Sequence, residues 1–168
     1  MKLNIGCGLD YRDGFINIDG RDDLPRIDKI INISKNSLLD YFAAGSIDYL
    51  LANDFIEHHF HWQAVSLLTE FFVLLKSGGA LEMRLPDCNY IVNAQHITIE
   101  QKITLLFGGQ DIPQGEANPL SRKKFPEYFC HKYGYTREAM QRELQAVGFI
   151  DIQTSAAGTN FIIIAKKP

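Results

Sequence analysis

A chain of 168 residues suits one domain, residues 1–168, that buries roughly two thirds of its unfolded surface, so neither disulfides nor a structural metal are needed to hold it together. Hydrophobic residues make up 46% and charged residues 22%, an ordinary globular balance, and a net charge of −3 offers no field for a polyanion, which sets nucleic acid aside as a partner. Cys7, Cys88 and Cys130 are widely spaced without a Cys-x-x-Cys pair and read as reduced thiols of a cytoplasmic protein, and no long apolar run or leader pattern points to a membrane or to secretion.

Leu3-Asn4-Ile5-Gly6-Cys7-Gly8 reads as a short buried strand that stops on two glycines, a turn whose backbone N–H groups can approach a bound molecule where a side chain would collide. A second apolar run, Gly14 to Asp19, ends on a carboxylate. Only five residues separate Gly8 from Gly14, too few for the crossover helix a parallel unit normally carries. Either that helix is cut to one turn or the first two strands are joined unusually. Ile27 to Ile33 is expected as the third strand. Leu38, Leu39, Tyr41 and Phe42 share one side of a short helix that Gly45 ends, and Ile47 to Ala52 resumes a strand pattern stopping at Asn53. Ala64, Leu67, Leu68, Phe71, Phe72 and Leu75 recur at helical spacing, with Ser77-Gly78-Gly79 as the expected stop. The fifth strand is expected over Ala80 to Pro86, and one or two helices between Tyr90 and Phe107. From about 108 to 135 three prolines and four glycines break the pattern, which marks a lid, a binding loop or partial disorder. Thr136 caps a last helix with Met140, Leu144 and Val147 on one face, Gly148 ends it, and Phe149 to Ile152 and Asn160 to Ala165 follow as two strands of an antiparallel hairpin.

Strand, glycine turn, strand, acid is the layout by which open α/β sheets bind a nucleoside at the carboxyl ends of their strands. A nicotinamide fingerprint would place a third glycine where Tyr11 stands, and would place its acid about twenty residues after the turn. A nicotinamide-dependent oxidoreductase is therefore the weaker reading. The ordered set Asn4-Ile5-Gly6-Cys7-Gly8, Asn17-Ile18-Asp19, Ser46-Ile47-Asp48, Glu57-His58, Leu74-Leu75-Lys76-Ser77-Gly78-Gly79 and Leu85-Pro86-Asp87 instead resembles the class I S-adenosylmethionine-dependent methyltransferases, over about residues 3 to 87.

That resemblance implies a doubly wound, Rossmann-like α/β domain with a mostly parallel sheet, an antiparallel C-terminal strand and helices on both faces; the irregular segment at about 108–135 is read from its prolines and glycines as a lid-like insertion. The resemblance also implies S-adenosylmethionine as cofactor, with Gly6, Cys7 and Gly8 near its methionine part, Asp19 on the ribose hydroxyls, and Asn32, Ile33 and Asn53 bordering adenine and sulfonium. A carboxylate such as Asp19 accepts both ribose hydroxyls, and the Asn32 amide matches an adenine edge. Two positions depart from the family pattern: Asp10 replaces a common third glycine, and Asn32 stands where an acid is common. Phe107-Gly108-Gly109-Gln110, His131-Lys132 and Gly148-Phe149 further resemble small bacterial methyltransferases linked to surface-glycan or secondary-metabolite pathways, which implies a small hydroxylated acceptor.

For catalysis two residues stand out. His131 carries an imidazole, a group that ordinarily titrates near working pH, and reads either as general base for a hydroxyl acceptor or as a loop histidine without a role, and Asp87 ends the fifth strand, where it either faces the acceptor or caps the next helix. Glu57 is read as structural. His58, His59 and His61 point in different directions, with no carboxylate or cysteine completing a set at helical spacing, so no metal is expected. Tyr128, Phe129, Tyr133 and Tyr135 either wall an acceptor pocket or form a small core, and Arg122-Lys123-Lys124 is a solvated run or meets an anionic acceptor. The alternative to an enzyme is a non-catalytic S-adenosylmethionine-binding or regulatory subunit, and homodimerisation stays open.

Overall fold

The structure is a computed structural model that describes residues 1–110 and 119–168. Seven strands form one sheet: β1 (Lys2–Ile5), β2 (Ile16–Asp19), β3 (Lys29–Ile30), β4 (Ile47–Asn53), β5 (Leu75–Pro86), β6 (Ile150–Ala157) and β7 (Asn160–Lys166), in the order β3-β2-β1-β4-β5-β7-β6. β1 to β5 pair in parallel, while β7 lies antiparallel between β5 and β6. The helices are α1 (His61–Leu74), α2 (Cys88–Asn93), α3 (Ile99–Phe107), α4 (Pro119–Lys124) and α5 (Arg137–Val147). The result is the expected doubly wound sheet with its antiparallel C-terminal hairpin. Among the described residues no helix is long and apolar enough to cross a membrane.

The apolar periodicity places the core. α1 buries Ala64, Leu67, Leu68, Phe71 and Leu74, α5 buries Met140 and Leu144, and the two helices touch each other as well as the sheet. Beneath them lie Leu50, Leu81, Met83, Phe161 and Ile163, all fully or almost fully buried.

Between β1 and β2 the chain makes its crossover without a helix, as the short spacing requires, and Leu3 still pairs with Ile16. Asn17 holds that loop. Its Oδ1 accepts from Asn4 Nδ2 at 2.9 Å and from the Arg12 N–H at 2.8 Å, while its Nδ2 donates to the Arg12 carbonyl at 3.0 Å and to Asp28 at 2.9 Å.

Four expectations are corrected. The short helix after the third strand is only a 3₁₀ turn, Leu38–Asp40, and Leu38 and Phe42 are buried while Leu39 and Tyr41 are exposed. The third strand is only Lys29–Ile30: the bond from the Ile31 N–H to the Asp19 carbonyl is its last to β2, and the chain then leaves the sheet. Ser77-Gly78-Gly79 does not stop a helix: α1 ends at Leu74, and Leu75 pairs at once with Ile47. The glycines instead form an irregular start to β5, with Gly78 at φ +76° donating to the Lys167 carbonyl. Finally, β6 runs on to Ala157, leaving Gly158 and Thr159 as a two-residue turn where a longer loop was expected. Among the described residues of the segment from 108 to 135, α4 and a 3₁₀ turn at Pro126–Tyr128 are formed, whereas residues 111–118, Pro113 among them, lie outside the described residues.

Candidate functional site

The strand order reverses beside β1, which is flanked by β2 on one side and β4 on the other, and ligands of open α/β sheets bind outside the strand ends at such a point. A cavity of about 370 Å³ opens there. All seven residues expected to hold a cofactor line it: Gly6, Cys7 and Gly8 after β1, Asp19 ending β2, Asn32 and Ile33 after β3, and Asn53 ending β4. Its volume falls within the usual range for small-molecule sites.

Gly6 sits at φ +63°, and a Cβ there would lie 2.4 Å from the Phe55 ring, so this turn is closed to other residues. The Cys7 thiol is buried, and burial, helped by the Asp19 charge, pushes it up to about 12; it serves as wall rather than nucleophile. Asp19 is 6% exposed. Its Oδ2 accepts the Gly8 N–H at 2.9 Å and its Oδ1 the Arg21 N–H at 3.0 Å, which fixes the carboxylate and leaves each oxygen a further lone pair. The Asn32 and Asn53 Oδ1 atoms are buried without a hydrogen-bond partner among the described residues. Buried acceptors are almost always paired, so two orphans on one cavity wall point to a ligand that donates to them.

Glu127, Tyr128, Phe129 and Lys132 also line the cavity. Tyr128 comes so close to Gly20 that a Cβ on that glycine would lie 2.2 Å from the phenol oxygen. Arg21, ion-paired with Asp23 at 3.0 Å, lies 5.1 Å from the centroid of the Phe129 ring. Sequence reasoning missed Gly20, Arg21, Asp54, Phe55, Arg84 and Lys132 as lining residues. Gly20 and Asp54 carried a signal, since each directly follows a strand-end residue singled out in the sequence, Asp19 and Asn53; Asp54 and Arg84 meet as an ion pair.

The two catalytic candidates lie elsewhere. Asp87 is 3% exposed and accepts the Tyr90 N–H at 3.1 Å, capping α2, while its other oxygen accepts from Arg137 Nε at 2.7 Å. It borders a separate depression with Tyr90, His96 and Arg137. His131 borders another, with Arg122 and Cys130, and its ring lies 5.0 Å from that of His58, which does line the large cavity. The adjacent histidines diverge: His59 Nδ1 bonds the Phe55 carbonyl at 3.1 Å, and His61 pairs with Glu143 and stacks on Tyr133. Tyr135 is 1% exposed and belongs to the main core.

Neither a family model nor a curated protein sequence matches the chain. Solved structures do. A SAM-dependent methyltransferase from Archaeoglobus fulgidus superposes with a TM-score of 0.60 at 15% identity, over 99% of this chain and 85% of that one. An S-adenosylmethionine-dependent methyltransferase from Mesorhizobium loti gives 0.64 at 10% identity, over 99% and 90%. A phosphoethanolamine N-methyltransferase from Haemonchus contortus, solved with phosphomonomethylethanolamine and S-adenosylhomocysteine, gives 0.57 at 12% identity, and this chain spans 48% of its length. The chain thus has the class I S-adenosylmethionine-dependent methyltransferase fold.

Proposed function

We propose that the chain binds S-adenosylmethionine in the cavity at the β1–β4 switch point and transfers its methyl group to a small acceptor, a sugar or secondary-metabolite hydroxyl, in the cytoplasm. The observation that carries this reading is the convergence of Gly6, Cys7, Gly8, Asp19, Asn32, Ile33 and Asn53, from four separate strand ends, on one cavity with a buried carboxylate in its wall. When bound, the cofactor supplies an electrophilic methyl group on a sulfonium.

The chain's own residues supply position. Asp19, already held by two backbone N–H groups, accepts the ribose hydroxyls, and the unpaired Asn32 and Asn53 oxygens accept donors of the base and of the methionine ammonium. Tyr128 and Phe129 add two aromatic rings to the cavity lining, apolar surface for the bound cofactor. Neither Asp87 nor His131 borders the cavity, so the acceleration is assigned to alignment of the reacting atoms, an effect worth up to about 7–11 kcal/mol in well-oriented systems. The same placement favours one second reading, a regulatory subunit that binds without turnover.

Thermal shift with S-adenosylmethionine, S-adenosylhomocysteine and NAD tests the first reading. Ligand at about a hundred times its Kd adds roughly 2.7 kcal/mol, a rise of about 5–10 °C for a chain of this size. The two sulfur ligands are expected to give that rise and Asp19→Ala to lose it; a rise with NAD alone overturns the proposal. Release of S-adenosylhomocysteine across a panel of hydroxylated acceptors separates the enzyme from the regulatory subunit.

A further inference from the structure

Glu57, His58 and His131 meet behind the wall of the large cavity. One potential ligand atom of each lies within 4.8 Å of the other two. Glu57 and His58 belong to the 3₁₀ turn Ile56–His58 directly after β4, and His131 is brought to them by the return of the chain before α5. The return is tied in place by backbone bonds: the Glu57 carbonyl accepts the Lys132 N–H at 2.8 Å, and the Phe107 carbonyl accepts the His131 N–H at 3.0 Å.

Glu57 is 1% exposed, and neither of its carboxylate oxygens has a hydrogen-bond partner among the described residues. His58 Nδ1 faces the Cys130 carbonyl at 2.9 Å, and His131 Nδ1 faces the Leu106 carbonyl at 3.2 Å. A carbonyl only accepts, so each Nδ1 carries the hydrogen and each Nε2 keeps its lone pair. An imidazole anchored through one nitrogen to a backbone carbonyl is the usual arrangement of a metal-bound histidine, because that bond fixes both tautomer and ring direction.

We propose that Glu57, His58 and His131 bind a divalent transition-metal ion of the zinc type. Two imidazoles and one carboxylate are the donor set of open zinc sites, which keep a fourth position for water or another ligand. His58 also lines the large cavity, so the ion sits at its wall. The claim rests on these three residues and not on the methyl-transfer reading. The sequence hid the set because its third member lies far along the chain from the Glu57-His58 pair, while the nearer His59 and His61 are turned to other partners.

The test uses the untagged full chain, stripped with chelator and titrated calorimetrically with Zn²⁺, then with Co²⁺ for its visible spectrum. The expected result is one ion per chain, a tetrahedral or five-coordinate Co²⁺ spectrum without a thiolate charge-transfer band, and an affinity loss on the order of a hundredfold in Glu57→Gln and in His131→Gln. Each variant is checked by circular dichroism, and the wild-type cobalt spectrum stands without them. Absence of stoichiometric binding overturns the proposal, as does a thiolate band assigning the metal to Cys130, or binding unchanged in both folded variants.

Discussion

Asn17 is fully buried, and its side chain holds a loop where a parallel crossover ordinarily has a helix. Replacing it by Leu takes the acceptor from the Arg12 N–H and leaves the buried Asn4 amide with the Asp10 carbonyl alone, so a loss of about 1–3 kcal/mol is expected in urea denaturation, with the slope unchanged. Asp28 shares this network. It accepts the Asn17 N–H at 2.7 Å and Asn17 Nδ2 at 2.9 Å, and these bonds, the backbone one foremost, hold its carboxyl below the usual range. A carboxylate lowered in the folded state contributes stability that is present above its unfolded value of about 3.9 and lost as pH falls through its lower folded value. Asp28→Asn is therefore expected to be less stable than wild type at neutral pH and to lose less stability on acidification below about pH 4. Urea midpoints taken across that range would show parallel profiles if the bonds to Asn17 contributed nothing.

At the scale of elements, Asp87 joins α2 to α5 through the cap on Tyr90 and the ion pair with Arg137. Asp87→Ala is expected to lower stability by roughly 2–3 kcal/mol, since it leaves the guanidinium without its buried partner, yet to keep the thermal shift with S-adenosylhomocysteine. A variant of normal stability that no longer bound ligand would place Asp87 in the binding machinery instead. The meeting of Gly20, after β2, with the Tyr128 turn is a second contact between distant elements. Gly20→Ala forces the phenol away from the cavity, and a loss of about tenfold in cofactor affinity, or 1.4 kcal/mol, is expected. In a Tyr128→Ala background the same change should cost nothing more, and a double-mutant cycle by calorimetry reads the difference.

Over the whole molecule, core and cavity share a wall. Phe55 packs near Phe71 of α1, with ring centroids 6.5 Å apart, and its other side fills the space beside Gly6. Phe71→Ala should cost about 3–5 kcal/mol and also weaken cofactor binding, because the cavity it leaves lets Phe55 move; denaturation and calorimetry on the one variant separate the two effects. Much of this architecture was legible in the residues themselves. Local apolar periodicity marks α1, α5, β1, β2 and β4, and the glycine turn with the strand-end acid marks the cavity, because each signal lies within a few consecutive residues. Element ends were less legible: Leu75 and the Ser77-Gly78-Gly79 run follow a helical pattern in sequence, and only pairing with Ile47 and Lys167 draws them into β5. The roles of Asp87 and His131 were likewise open, since a strand-end acid and a loop histidine look the same in sequence whether they face a ligand or a neighbouring helix. By itself the sequence determined the order of elements and, through the family resemblance, the seven strand-end residues expected at the cofactor, which meet at the cavity because strand ends in an open parallel sheet come to one edge wherever else the chain goes. Only the tertiary structure decided that Arg137 occupies Asp87 and that His131 comes to Glu57 and His58, because those meetings depend on how far the chain travels before it returns.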